Sequence, residues 1–125
     1  MRALNIFLFS ALSILATAAD AGTKQTAGVK VSAAGRTAYG ALTAVRATSN
    51  DVEYIDCEMK VKSSGTTVSC HAKDRFGNTA TCSDNFENHI QAVKMIGPSS
   101  WVQFRWDGIG NCENIMVWND SAFIP

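Results

Sequence analysis

From Val52 to Lys62 the chain alternates: Ile55, Cys57, Met59 and Val61 are apolar, while Asp56, Glu58, Lys60 and Lys62 are polar. A period of two over that length predicts a strand with one dry and one wet face. Ser63-Ser64-Gly65 turns the chain, and Val68, Cys70 and Ala72 then alternate with Thr67, Ser69, His71 and Lys73 in the next strand. Asp74-Arg75-Phe76-Gly77-Asn78 suits a type I turn closed by a glycine bulge, because aspartate favours the first turn position and glycine supplies a positive φ. Counting outward from Asp74 and Asn78 sets Cys70 opposite Cys82. The same spacing returns at Asp107-Gly108-Ile109-Gly110-Asn111, where the count sets Arg105 opposite Glu113 and Val102 opposite Met116. A second hairpin is expected there.

Upstream, Arg36 to Thr48 reads as one long strand bent at Gly40 and ended by an Asn50-Asp51 turn. Between the hairpins, Asp84 and Glu87 have the spacing of a capping box, and Phe86, Ile90, Val93 and Ile96 share a helical face. Gly97-Pro98 stops that helix. The order is therefore mainly β with one helix. Two architectures fit: a small OB-like barrel, or an antiparallel sheet packed on a helix.

The N-terminus changes the setting. Arg2, an apolar run from Leu4 to Leu15, and the small-residue triplets Ala16-Thr17-Ala18 and Ala19-Asp20-Ala21 form a secretory signal over residues 1–21. Its apolar core is shorter than the roughly 20 residues of a membrane span, and no cysteine stands at either cleavage point to take a lipid. A secreted or periplasmic protein without a membrane anchor is expected. Residues 22–34 are small and polar and read as a flexible lead, and residues 35–125 as a single disulfide-bonded domain.

A domain of about 105 residues buries only a little over 60% of its unfolded surface, so covalent restraint helps it. Cys57, Cys70, Cys82 and Cys112 are even in number in an exported chain, which is the disulfide pattern. No Cys-x-x-Cys occurs, and neither His71 nor His89 completes a zinc spacing, so no metal or other cofactor is expected. Two pairings stay open. Cys57 with Cys70 and Cys82 with Cys112 is favoured; Cys70 with Cys82 and Cys57 with Cys112 follows from the turn count.

Eleven basic and eleven acidic residues balance, and losing Arg2 alone or Arg2 with Asp20 leaves a mature charge of −1 or 0. Such a domain lacks the electrostatic term that dominates nucleic-acid affinity, and nothing marks it for an anionic membrane surface. No nucleic acid is expected as a partner, and the chain is expected to be a monomer.

Catalytic chemistry finds little footing. His71 follows Cys70 directly, but strand neighbours point to opposite faces, and His71 beside Lys73, Asp74 and Arg75 reads as a solvated strand face. His89 reads as a solvent-facing helical residue. No Gly-x-Ser-x-Gly elbow occurs, and Glu53, Asp56 and Glu58 read as a wet strand face. No catalytic residue is assigned. The Asp-x-x-Gly-Asn loops offer only two oxygen-bearing side chains each and read as turns rather than calcium sites. Asn119-Asp120-Ser121 is a glycosylation sequon in form.

The aromatics point to binding. With Val102, Phe104 and Trp106 facing the core, Trp101, Gln103 and Arg105 face outward, Tyr54 lies on a neighbouring wet face, and Phe76 tips a loop. Aromatic rings beside arginine suit protein hot spots and sugar stacking alike. The candidate binding residues are Trp101, Arg105, Phe76 and Tyr54.

Tyr54-Ile55-Asp56-Cys57, Val68 to Asp74, Gly77-Asn78, Cys82-Ser83 and Gly110-Asn111-Cys112 together resemble a loose group of small exported bacterial proteins of uncharacterised function, built on four cysteines and an Asp-x-x-Gly-Asn turn. The likeness covers roughly the last two-thirds of the chain. It implies a fold and an address, and it transfers no functional residues. The expected function is a small secreted or periplasmic binding module of the inhibitor or immunity type, acting on an exported enzyme. A glycan- or cell-wall-binding module is the alternative, and a small hydrolase the third reading.

Overall fold

The computed structural model describes residues 28–124, so the signal expected over residues 1–21 lies outside the described residues. Seven strands form: β1 (Lys30–Ser32), β2 (Thr37–Ala41), β3 (Tyr54–Lys62), β4 (Gly65–Lys73), β5 (Thr79–Asp84), β6 (Trp101–Trp106) and β7 (Cys112–Trp118). Helix α1 (Leu42–Ala47) follows β2, α2 (Glu87–Lys94) follows β5, and a 3-10 turn spans Ser121–Phe123. The strands make two antiparallel sheets, a four-stranded one ordered β1-β2-β6-β7 and a three-stranded one ordered β3-β4-β5. The sheets do not close into a barrel. They meet at one corner, where the Ser83 N–H donates to the Gly110 carbonyl and Ser83 bridges Asn111 in parallel. Of the two expected architectures, the open antiparallel one with a packed helix is the one adopted.

Alternation supplies the core. Ala38, Val102, Phe104 and Ile115 from one sheet face Ile55, Val68, Cys70, Ala72, Ala80 and Cys82 from the other, with Ile90 and Val93 of α2 closing the space. Val68, Val102 and Phe104 are fully buried, and each such side chain contributes about 1.5–3 kcal/mol.

The two Asp-x-x-Gly-Asn loops are built alike. In the first, Asp74 Oδ1 accepts from the N–H groups of Phe76 and Asn78, and Oδ2 accepts from Asn78 Nδ2. In the second, Asp107 does the same with Ile109, Asn111 and Asn111 Nδ2. Gly77 and Gly110 hold φ of 87° and 92°, the conformation the turn requires. The carboxylates serve their own loops.

Cysteine pairing follows the favoured scheme, with Cys57 bonded to Cys70 and Cys82 to Cys112. Cys70 stands opposite Cys57 on one side and Cys82 on the other, so register alone leaves the choice open. Ladder phase favours one side. The Asp74 N–H donates to the Asn78 carbonyl, which puts alternate residues back to Cys70 in hydrogen-bonded pairs with β5. Cys70 and Cys57 then form a non-hydrogen-bonded pair, the type whose side chains lie closer, with Cα atoms 4.0 Å apart.

Several expectations are corrected. Lys30–Ser32, inside the segment read as a lead, pairs with Thr37, Ala38 and Tyr39 of β2. The long strand expected from Arg36 to Thr48 is β2 followed by α1, whose Leu-Thr-Ala-Val-Arg-Ala run contains good helix formers. Gly40 makes a close approach: a Cβ there would meet Val29 and Ile55 at 3.4–3.5 Å.

Asp84 does not cap α2, because the helix starts at Glu87 with Phe86 at its N-cap. The Asp84 carboxylate instead accepts from the Phe86 N–H and pairs with His89 Nδ1. His89 is correspondingly not solvent-facing; its side chain is 12% exposed and meets the Phe86 ring edge-on. In the last hairpin a bulge at Arg105/Trp106 shifts the expected register by one, so Arg105 faces Asn114 and Val102 faces Val117.

Candidate functional site

The outer face of the four-stranded sheet gathers the side chains that strand parity sends away from the core. Trp101, Gln103 and Arg105 point outward from β6. The register sets Trp101 opposite Trp118, Gln103 opposite Tyr39 and Met116, and Arg105 opposite Thr37 and Asn114. Trp101 and Trp118 stack with ring centroids 4.8 Å apart and planes 23° from parallel. Tyr39 leans on Trp101 from the other strand at 5.6 Å. Rings stacked across strands hold each other in place, and such pairs add about 0.5–1.5 kcal/mol beyond the area they bury.

The C-terminus frames one end of this row. Phe123 packs with Ala41 and Ala44, and Trp101 lies half-buried against that cluster. Asp120 anchors the 3-10 turn by accepting from the Ala122 N–H. Asn119 ties the end of β7 to the end of α2, donating through Nδ2 to the Met95 carbonyl and accepting from the buried Ser100 hydroxyl. The amide nitrogen that a sequon would glycosylate is thus engaged. At the other end, Gln103, Arg105, Glu113, Asn114 and Met116 line a shallow depression of about 260 Å³.

Of the four residues that the sequence singles out, the structure brings together two. Trp101 and Arg105 share this face. Tyr54 starts β3 opposite Lys73 on the other sheet, beside an apolar cleft lined by Leu42, Val45, Ile55 and Pro98. Phe76 stands on the β4–β5 loop, 72% exposed, with the Arg75 guanidinium 4.7 Å from its ring centroid. Tyr39 and Trp118 were missed. Trp118 was hidden by the register: a slip of one residue sends every side chain of β7 to the opposite face. Tyr39, between Ala38 and Gly40, had an alternation signal that the long-strand reading passed over.

His71 Nδ1 lies 3.0 Å from Asp56 Oδ1 on the outer face of the three-stranded sheet, where Ser69 and Ser83 also exchange a hydroxyl hydrogen bond. Both His71 and Asp56 are solvent-accessible, and the pair sits on a flat strand face. The Sγ atoms of Cys70, Cys82 and Cys112 lie within 4.8 Å of one another. All three are held in disulfides, so none offers a thiolate.

Among the described residues, no helix is long and apolar enough to cross a membrane. Compared with family models, curated proteins and solved structures, the chain matches none.

Proposed function

We propose that the chain is an exported binding module that engages an exported protein, in the manner of an inhibitor or immunity factor, through the outer face of its four-stranded sheet. One observation carries this reading: Tyr39, Trp101 and Trp118 form a packed row of rings on an outward face that also carries Arg105 further along β6. Tyrosine, tryptophan and arginine are the residue types that dominate interface energetics. Rings already held by one another lose little freedom on binding. Trp101 is covered by Trp118 on one side and by Tyr39 on the other, so it offers its ring edge, with Gln103 and Met116 next to it along the strands. That shape suits a protein pocket better than the flat ring that a sugar stacks on. Two disulfides, the N-terminal signal and the likeness to small exported four-cysteine proteins support the address.

Glycan binding is the second reading, favoured by Trp118, which is 53% exposed on an edge strand. Capture from the producer's secreted and periplasmic fractions separates the two. A stoichiometric protein that survives a saccharide wash and leaves only in denaturant is the expected result; release by saccharide would replace the protein reading with the glycan one. Trp101→Ala is expected to weaken capture by about 2 kcal/mol or more, roughly 30-fold. Trp118→Ala, at an exposed position, controls for any loss of folding at half-buried Trp101. His71→Ala is expected to leave capture unchanged, and loss of function in that variant would favour the hydrolase.

A further inference from the structure

We infer that β3 is a homodimer edge, along which two copies of the chain pair antiparallel about a two-fold axis at Met59. Among the described residues, β3 ends the three-stranded sheet with no strand on its other side. The ladder phase that fixes the disulfide also says which groups are free. Asp56, Glu58, Lys60 and Lys62 bond to β4, while the N–H and C=O groups of Ile55, Cys57, Met59 and Val61 point away from it. Met59 and Val61 have core-facing parity yet lie beyond the core, 38% and 73% exposed. Backbone donors, backbone acceptors and apolar side chains thus share one unpartnered strand.

Charge identifies the occupant. Lysines on an edge usually deter pairing. In β3, however, the charges are sorted by sign about the centre, with Asp56 and Glu58 before Met59 and Lys60 and Lys62 after it. Two copies must set outward-pointing residues opposite one another, which restricts the axis to single residues of the strand. With the axis at Met59, Glu58 faces the partner's Lys60 and Asp56 faces the partner's Lys62, each twice by symmetry. All four are non-hydrogen-bonded pairs, whose side chains lie closest. Cys57 faces the partner's Val61, and Met59 meets its own copy.

Neighbouring registers fail. With the axis at Glu58 or at Lys60, that residue meets itself; at Cys57, Asp56 meets Glu58. The Met59 register alone has four attractive contacts and no like-charge one. The contact is isologous, so it closes as a dimer and does not propagate as a fibre. A dimer replaces the monomer expected from the sequence, and it leaves the aromatic face on the other sheet free. It stands independently of the binding reading.

Sedimentation equilibrium of the purified, oxidised chain over a range of concentrations tests it. Wild type is expected to dimerise, with amide exchange at Met59 slowing as concentration rises. Glu58→Lys and Lys60→Glu are each expected to raise the dimer dissociation constant about tenfold or more, since symmetry counts each change twice. The double variant Glu58→Lys with Lys60→Glu restores opposite charges in the same register and is expected to return close to wild type. Unchanged circular dichroism and intact disulfides confirm folding in each variant, and Val61→Glu provides a second disruption. A chain that stays monomeric to about millimolar concentration overturns the proposal. So does a dimer indifferent to the single changes, or one that the double variant fails to restore.

Discussion

Replacing Cys82 and Cys112 together by alanine is expected to destabilise the domain by about 4 kcal/mol, against about 3 kcal/mol or less for Cys57 with Cys70. The two bonds differ in what they restrain. Cys82–Cys112 closes a sequence separation of 30, spans α2 and β6, and fastens β5 of one sheet to the start of β7 in the other. Cys57–Cys70 closes a separation of 13 within a hairpin that register already pairs from Tyr54–Lys73 to Lys62–Gly65. The larger loop has more freedom to lose in the unfolded chain, and a single bridge, Ser83 to Asn111, is all the backbone pairing beside it. For a domain of this size, 4 kcal/mol lowers the melting temperature by roughly 20 °C. Thermal unfolding of the two double variants, followed by circular dichroism, checks the order. Equal losses would mean that loop length does not set the difference.

What the sequence disclosed, and what it hid, divides along a physical line. Patterns that depend on neighbours within one hairpin were legible. The alternation of β4 and of the first half of β3, the two Asp-x-x-Gly-Asn turns, the inward parity of Val102 and Phe104, and the outward parity of Trp101 and Arg105 all stand in the structure, while Met59 and Val61 of β3 run on past the core and are exposed. Features set by tertiary context were not. The bulge beside Trp106 adds one residue to β7, and from there onward every partner moves by one, which hid the Trp101–Trp118 stack. The chain after Ala41 leaves the sheet as helix, with the Leu42 N–H donating to the Ser100 carbonyl, a contact across 58 positions that no local pattern announces. Asp84 has the spacing of a cap, yet the carboxylate pairs with His89 because the helix begins later. Half of the candidate site was therefore legible. Trp101 and Arg105 could be chosen by parity, whereas Tyr39 and Trp118 join them only through cross-strand register.

Asp74→Ala is expected to cost about 3 kcal/mol at neutral pH, and the deficit is expected to shrink in acid. Asp74 is 5% exposed, and its carboxylate accepts from the N–H groups of Phe76 and Asn78 and from Asn78 Nδ2. Burial alone would raise its pKa; the bonds from Asn78 and Phe76 outweigh burial and hold it below the ordinary carboxylate value. A group whose pKa is lower folded than unfolded stabilises the fold fully above the unfolded value of about 4. That contribution fades as pH falls through this value and is gone below the folded pKa. Alanine removes the acceptor and leaves the loop's own donors facing a buried gap. Asp107 has the same loop bonds, led by the Ile109 N–H, and its pKa is also lowered. It is less buried, so Asp107→Ala should cost clearly less. Urea unfolding of both variants at pH 7 and near pH 3 separates the contributions. If the Asp74 deficit were the same at both pH values, shape rather than charge would hold the loop. A deficit that shrinks in acid would make the buried carboxylate the anchor of the turn that sets the ladder phase of β4.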